Sequence, residues 1–241
     1  MLKPPKIHLQ GIAYLAFHPR QLKHVTNREL RFRHRHQDRR RWIEWQEYDA
    51  YNHIRLMETH PVELHNNLLH IERTKTISNM VNGLDGCLSV LDVGCGNGAI
   101  CSPIRKMGHT VTCVELANVA PLTRRCGVES VVGGDAENLA FASEGFDLVL
   151  ASEVVEHLWN PRNFFVEAFR VLKPGGFLIL STPEGRLGLC YDSHKHYFTL
   201  DGLRQMISPN FRVCFARHLE PNGDPTPTLI VLLQKSTTAH N

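Results

Sequence analysis

No apolar run in this chain approaches the roughly 18 residues that a helix needs to span a bilayer, so no transmembrane segment is expected. The one N-terminal apolar stretch, 11–17, follows Lys3 and Lys6. It runs into His18, Pro19 and Arg20 rather than into the small residues of a leader cleavage site. Paired cysteine motifs are missing too. The seven cysteines (Cys87, Cys95, Cys101, Cys113, Cys126, Cys190 and Cys214) include no C-x-x-C pair, which removes the usual zinc-knuckle and redox patterns. Several sit inside apolar runs and read as small buried hydrophobes of a reducing, cytoplasmic protein. Internal repeats and low-complexity linkers are absent, which excludes solenoids and long tethers.

What is present is an ordinary globular composition. Of 241 residues, 42% are hydrophobic and 21% charged, enough to bury a sizeable core without staples. The charge is unevenly placed. Residues 20–41 hold nine Lys or Arg against Glu29 and Asp38, a local +7 on a chain that is +3 overall. A basic N-terminal segment is thus joined to a body of net −4.

Residues 42–83 read as one or two helices, with Trp42, Trp45, Tyr48 and Tyr51 at helical spacing. A second helix is expected after Pro61, with Leu64, Leu68, Leu69 and Ile71 on one side. Asn82-Gly83 and Asp85-Gly86 then mark turns. From Leu88 onward the texture alternates between strands and helices. Strands are predicted at 88–93, 110–115, 128–132, 146–151, 176–182, 211–217 and 228–234, and helices at 99–107, 161–171 and 199–207, the last starting near Thr199 with Asp201 or Gly202. This alternation predicts a Rossmann-like α/β fold: a seven-stranded, mostly parallel sheet with helices on both faces. The loop from Pro221 to Pro227 has no room for a crossover helix, so the last strand pair should be antiparallel. The organisation is therefore a basic arm and helical cap over 1–84 and a sheet domain over 85–241.

Leu91-Asp92-Val93-Gly94-Cys95-Gly96-Asn97-Gly98 follows a buried strand and precedes a helix. Glycines there permit a tight turn and close backbone approach to a ligand at the carboxyl edge of the sheet. Gly94, Gly96 and Ala99 also fit a dinucleotide pattern, and Glu115, ending the second strand, suits the ribose hydroxyls of either kind of cofactor. Further elements follow in order. They are Gly134-Asp135-Ala136-Glu137-Asn138-Leu139, Phe146-Asp147-Leu148-Val149, Glu153-Val154-Val155-Glu156-His157-Leu158 and Leu172-Lys173-Pro174-Gly175-Gly176. Taken together, residues 85–235 resemble the class I S-adenosylmethionine-dependent methyltransferases, and most closely the ubiquinone-biosynthesis-type O-methyltransferases.

The resemblance implies roles. Gly94, Gly96 and Gly98 would lie beneath the methionine and ribose of S-adenosylmethionine. Glu115 would accept from both ribose hydroxyls. Asp135 would take the adenine amino group, with the Ala136 N–H at the ring. Asp92 would lie near the cofactor ammonium or order the turn. Pro174-Gly175-Gly176 would only turn the chain into the fifth strand.

Methyl transfer needs a nucleophile aligned with the S–CH3 bond and, for a hydroxyl acceptor, a base. His157 follows the fourth strand and suits that base, since imidazole titrates near neutrality. Glu153, Glu156 and His157 also form E-x-x-E-H. If that segment were helical, the three would share a face and suit a divalent metal such as Mg²⁺. The same segment is similar to the metal site of small-RNA 3′-terminal 2′-O-methyltransferases, whose further histidine would correspond to His194 in Asp192-Ser193-His194-Lys195-His196, although the wider RNA-enzyme signature is absent. Glu153, His157 and His194 are accordingly the candidate catalytic residues. The basic arm, including Arg31-Phe32-Arg33 and Arg39-Arg40-Arg41-Trp42, suits a phosphate-bearing acceptor. The function expected first is O-methylation of a small-molecule or glycan-type acceptor. Metal-dependent RNA 2′-O-methylation and a non-catalytic cofactor-binding module are the alternatives.

Overall fold

The computed structural model describes residues 38–59, 68–185, 194–207, 209–220 and 227–237. The basic arm up to residue 37, Leu64 and the side chains of Leu68 and Leu69, Asp192-Ser193 and the loop 221–226 lie outside them. Two helices come first, α1 (Arg39–Thr59) and α2 (Leu68–Asn82). The sheet domain then runs β1 (Ser89–Val93), α3 (Cys101–Lys106), β2 (Thr110–Glu115), α4 (Ala120–Arg125), β3 (Val131–Gly133) and β4 (Phe146–Ser152). It continues through a single 3-10 turn (Val155–His157), α5 (Pro161–Val171), β5 (Leu172–Pro183), α6 (Leu200–Ile207), β6 (Phe211–Leu219) and β7 (Thr228–Lys235).

The seven strands lie in the order β3-β2-β1-β4-β5-β7-β6. All pairings are parallel except β5 with β7 and β6 with β7. The order reverses between β1 and β4. In an open α/β sheet that reversal leaves a crevice at the carboxyl ends, because the chains leaving the two strands diverge to opposite faces. The central strands are apolar on both sides. Along β1, Leu91 and Val93 face one core while Val90 faces the other. Along β4, Val149 and Ala151 alternate with Leu148 and Leu150 in the same way. This is period-2 alternation with no solvent face, so the strands read as continuous hydrophobic runs. Phe164, Phe165, Leu203 and Ile207 of α5 and α6 cover one face. Ile77 and Val81 of α2 join Cys101 and Ile104 of α3 on the other.

Local chemistry sets the helix ends. Asn160 accepts from the Arg162 N–H at 3.2 Å and Pro161 fills the first turn of α5, where its missing N–H costs nothing. Thr199 Oγ1 accepts from the Gly202 N–H at 3.2 Å to start α6, an ordinary N-cap. The predicted strand at 128–132 begins instead at Val131. Gly127, at φ 89°, turns the chain out of α4, and Val128 is spent in the core before register with Cys113 is reached. The fifth strand begins at Leu172 rather than 176, since Leu172 already pairs with Phe146 ahead of a bulge. On α2 the apolar side expected at Ile71 does not hold, for Ile71 is half exposed and Ile77 and Val81 are the buried positions. Cys95, Cys101 and Cys113 are buried as expected, but Cys87 and Cys214 are exposed. No described helix is long and apolar enough to cross a membrane.

Helix α1 lies over the carboxyl edge of the sheet. Ile54 packs with Val119 and Leu122 beside α4, and Trp42, 1% exposed, donates its indole N–H to the His157 carbonyl at 2.6 Å. Trp42→Ala should therefore cost about 3–5 kcal/mol. Trp42→Phe, which loses the hydrogen bond but keeps most of the packing, should cost about 1 kcal/mol. Denaturant unfolding followed by circular dichroism measures both, and an unchanged melt for Trp42→Ala would show that α1 is not docked here.

Candidate active site

The glycine turn leaves β1 with Gly94, Gly96 and Gly98 at φ 70°, 54° and 84°, a region costly for residues with a Cβ. At Gly94 space is lacking as well, since a Cβ would stand 2.5 Å from Val154 Cγ2. At Gly96 a Cβ would meet nothing within 4 Å, so that flank of the turn is open to a ligand. Glu115 is buried at the end of β2, where its carboxylate accepts from Gly96 N at 2.9 Å and from Leu116 N at 2.8 Å. Burial pushes its pKa up, and the two backbone donors oppose that. Glu115 is therefore a built part of the turn and not a surface acid.

Asp92 is 2% exposed and its Oδ2 has no hydrogen-bond partner among the described residues. Burial, the Cys101 thiol and Glu115 hold its carboxyl well above the usual range. Asp135 lies at the end of β3, with Oδ1 accepting from Glu137 N at 2.9 Å and Oδ2 from Arg39 of α1 at 2.5 Å. Ala136 follows it, half-buried against the core. Gly134 N donates to the Glu115 carbonyl at 2.9 Å, which ties the two acidic strand ends together.

Beyond β4 the structure departs from the helical reading of Glu153–His157. Glu153 takes a left-handed φ of 58°, a strain of about 1–3 kcal/mol for a residue other than glycine, and only the short 3-10 turn follows. Glu153 N donates to the Ser181 carbonyl at 2.9 Å. Its side chain accepts from Ser181 Oγ at 2.9 Å and lies 3.4 Å from Arg73 Nη1. It does not share a helical face with the other two.

Glu156 is 1% exposed. Its Oε2 accepts from Thr182 Oγ1 at 3.1 Å, and Oε1, with no hydrogen-bond partner among the described residues, lies 3.8 Å from His157 Nε2. The His157 and His194 rings meet edge to face at 4.8 Å. Donor atoms of Glu156, His157 and His194 all lie within 4.8 Å of one another. The Lys195 and His196 N–H groups, at 2.7 and 3.1 Å, both donate to the Glu156 carbonyl, which fixes the segment carrying His194. Burial, then Glu153, pushes the Glu156 carboxyl well above its usual range. Burial and His157 push His194 down to about 3, so it is neutral near pH 7.

The cap supplies residues that sequence reasoning missed. Arg73 of α2 is buried between Glu153 and His70, whose Nδ1 lies 2.5 Å from Arg73 Nη2. His53 of α1, an exposed side chain, lies close enough to His157 to interact with it electrostatically. Lys195 Nζ sits 3.8 Å from the Trp159 ring centre and 5.5 Å from that of Trp42. No local motif marks these residues, because they reach the site only when α1 and α2 dock.

A doubly covered α/β sheet with an open glycine turn at its switch point and a strand-end acid bonded to that turn defines a Rossmann-like fold. Residues 91–180 match the family model of a methyltransferase domain. A ubiquinone biosynthesis O-methyltransferase of Maricaulis maris is 40% identical over 102 residues, covering 39% of this chain and 40% of that protein. The corresponding protein of Rhizobium leguminosarum is 37% identical over 106 residues, again with 39% and 40% covered. The chain thus matches only about two fifths of these relatives' length. Among solved structures, the 1,6-didemethyltoxoflavin-N1-methyltransferase of Burkholderia thailandensis, with S-adenosylhomocysteine bound, superposes with TM-score 0.62 at 17% identity, covering 80% of this chain and 89% of that one. The [4+2]-cyclase SpnF superposes at TM-score 0.56 and 17% identity, covering 68% and 81%. These two likenesses establish the fold.

The Arg73–His70 contact has a pH consequence. Burial and Arg73 lower His70 to about 4 from 6.5. A histidine depressed on folding contributes stability that is complete above its unfolded pKa and lost as pH falls through the folded one. Stability should therefore decline from pH 6.5 to about 4, with His70 contributing up to about 3 kcal/mol of that loss. His70→Gln, which cannot take the proton, should flatten this slope in urea melts at stepped pH. An unchanged slope would mean that His70 is solvated.

Proposed function

We propose that the chain is an S-adenosylmethionine-dependent methyltransferase that methylates a hydroxyl oxygen of a small-molecule acceptor. In this reading residues 85–241 form the cofactor-binding domain, and residues 1–84 carry the cap. The observation that carries it is the contact of Gly94 with Val154. That contact sets the open glycine turn against the segment bearing Glu156 and His157. The likeness to O-methyltransferases favours oxygen as the acceptor atom. The phosphate-bearing reading rested on the basic arm, most of which lies outside the described residues, and the RNA reading on that arm together with the likeness of the Glu153–His157 segment to an RNA-enzyme metal site. The free thiols suit a reducing, cytoplasmic setting.

Each residue then has a task. Gly96 gives the cofactor room, and Glu115 turns its carboxylate from the backbone donors to the ribose hydroxyls. Asp135 and Ala136 flank the adenine. The acceptor oxygen attacks the methyl carbon, the C–S bond breaks, and the electron pair returns to sulfur. The acceptor proton goes to His157 Nε2, whose imidazolium is stabilised by Glu156. His194, kept neutral by burial, cannot compete as a cation and packs against the His157 ring. Arg73 holds Glu153 as a pair, so Glu153 positions the turn and does not take the proton.

A second reading follows from the convergence of Glu156, His157 and His194. The unpartnered Glu156 Oε1 and two imidazoles are a donor set that fits a borderline divalent cation. Such an ion would acidify the acceptor hydroxyl. Glu153, engaged by Arg73 and Ser181, is not among its ligands.

Calorimetry should show S-adenosylhomocysteine binding more tightly than NAD. Glu115→Ala should weaken that binding by roughly 10- to 100-fold, the loss of a charged acceptor worth about 1.5–3 kcal/mol. Tighter binding of NAD would sink the assignment. Turnover on a phenolic acceptor panel should fall roughly 10²- to 10⁴-fold in His157→Ala. If His157 is a simple base, exhaustive chelation leaves the rate unchanged. Loss of activity on chelation, restored by a divalent ion in the wild type but not in Glu156→Gln, selects the metal reading.

A further inference from the structure

Beneath the glycine turn lies a second group of ligand-type side chains, made of Asp92 and two cysteines to which the proposed reaction gives no task. Asp92 ends β1, Cys101 begins α3 and Cys113 lies in β2. All three are buried, and their ligand atoms lie within 4.8 Å of one another. Cys95, buried in the turn itself, joins Cys101 and Cys113 in the same buried cluster. Asp92 Oδ2 has no hydrogen-bond partner among the described residues. An unpaired buried carboxylate oxygen is costly unless it meets a proton or a cation.

We propose that Asp92, Cys101 and Cys113 form a binding site for one thiophilic divalent cation of the Zn²⁺ class, with Cys95 as the adjoining candidate for the fourth position. The site is separate from the Glu156–His157–His194 cluster.

Sulfur donors select soft or borderline ions over Mg²⁺. A tetrahedral Zn²⁺ with Zn–S bonds near 2.3 Å needs neighbouring sulfurs about 3.8 Å apart, so the group must contract by roughly 1 Å. Coordination releases the thiol protons of Cys101 and Cys113 to solvent and involves no redox change. The ion, two thiolates and the Asp92 carboxylate then sum to one negative charge. Arg105 supplies the compensating cation, for its Nη2 lies 3.7 Å from Cys113 Sγ. Both thiols must lose their protons to coordinate, so occupancy should fall at low pH. A bound ion would cross-tie β1, β2 and the start of α3 beneath Gly94–Gly98. It would brace the turn without touching the reacting atoms.

The test uses the full chain, reduced and stripped of metal, with Co²⁺ as an optical probe. Co²⁺ is added to folded protein and, separately, kept present throughout refolding. One equivalent should give a thiolate-to-cobalt charge-transfer band and the visible bands of tetrahedral Co²⁺, both abolished by excess Zn²⁺. The bands should vanish in Cys101→Ala/Cys113→Ala, checked for folding by circular dichroism. They should persist in Glu156→Gln/His157→Ala and be weakened at least tenfold in affinity by Asp92→Asn. Wild-type protein without a charge-transfer band under either loading would overturn the site. So would bands that survive the double cysteine change, or bands that disappear with the Glu156 and His157 changes.

Discussion

The backbone at Gly94 comes so close to Val154 that a Cβ would stand 2.5 Å from the Val154 Cγ2. Everything at the carboxyl edge depends on that approach. Strands β1 and β4 are neighbours in the sheet, but their exits lead to opposite faces, and adjacency alone would leave a gap between them. A missing side chain closes the gap. Val154 then fixes where the 3-10 turn begins, and with it Glu156 and His157. The strained φ at Glu153 is the cost of turning the chain so sharply after β4, and its bonds to Ser181 hold it there.

That geometry concentrates buried carboxyl groups. Asp92, Glu115 and Glu156 are all buried along one edge, and burial raises the pKa of each. Their satisfaction differs in kind. Glu115 has two backbone donors, Glu156 has a threonine hydroxyl on one oxygen, and Asp92 has an oxygen with nothing. Arg73 is the buried guanidinium near them, and it is spent on Glu153. Such an edge stabilises arriving positive charge, because a desolvated carboxylate pays most of its electrostatic cost before the ligand comes. A sulfonium cofactor suits it better than a dinucleotide, whose pyrophosphate would meet the same carboxylates with the opposite sign.

Much of this was legible in the sequence because it is local. Glycines at 94, 96 and 98, an acid ending β2 and a two-sided apolar alternation each require only neighbouring residues to be recognised. The E-x-x-E-H spacing was legible too, but its geometry was not. Spacing implies a shared face only on a helix, and whether residues 153–157 are helical is decided by the Ser181 carbonyl, 28 positions away. The Arg39–Asp135 bridge and the approach of His53, His70 and Arg73 were hidden for the same reason. They depend on docking of α1 and α2, and the periodicity of those helices shows which face is apolar but not what it meets. The slip at β3 is smaller, since Val128 belongs to the core whether or not it is in a strand.

The hold of α1 on the site can be apportioned by magnitude. Arg39 and Asp135 are both about a third or more exposed, at 43% and 35% of their side chains, and such pairs are worth only about 0–1 kcal/mol. Trp42 is nearly fully buried and its indole N–H is satisfied, a contribution several times larger. The cap is thus anchored beside His157 and only lightly latched beside Asp135. Asp135 keeps one oxygen on Glu137 N whether or not Arg39 is in place, so its orientation survives release of the latch. A ligand arriving at the glycine turn therefore has to displace a weak, exposed ion pair and not the packed tryptophan.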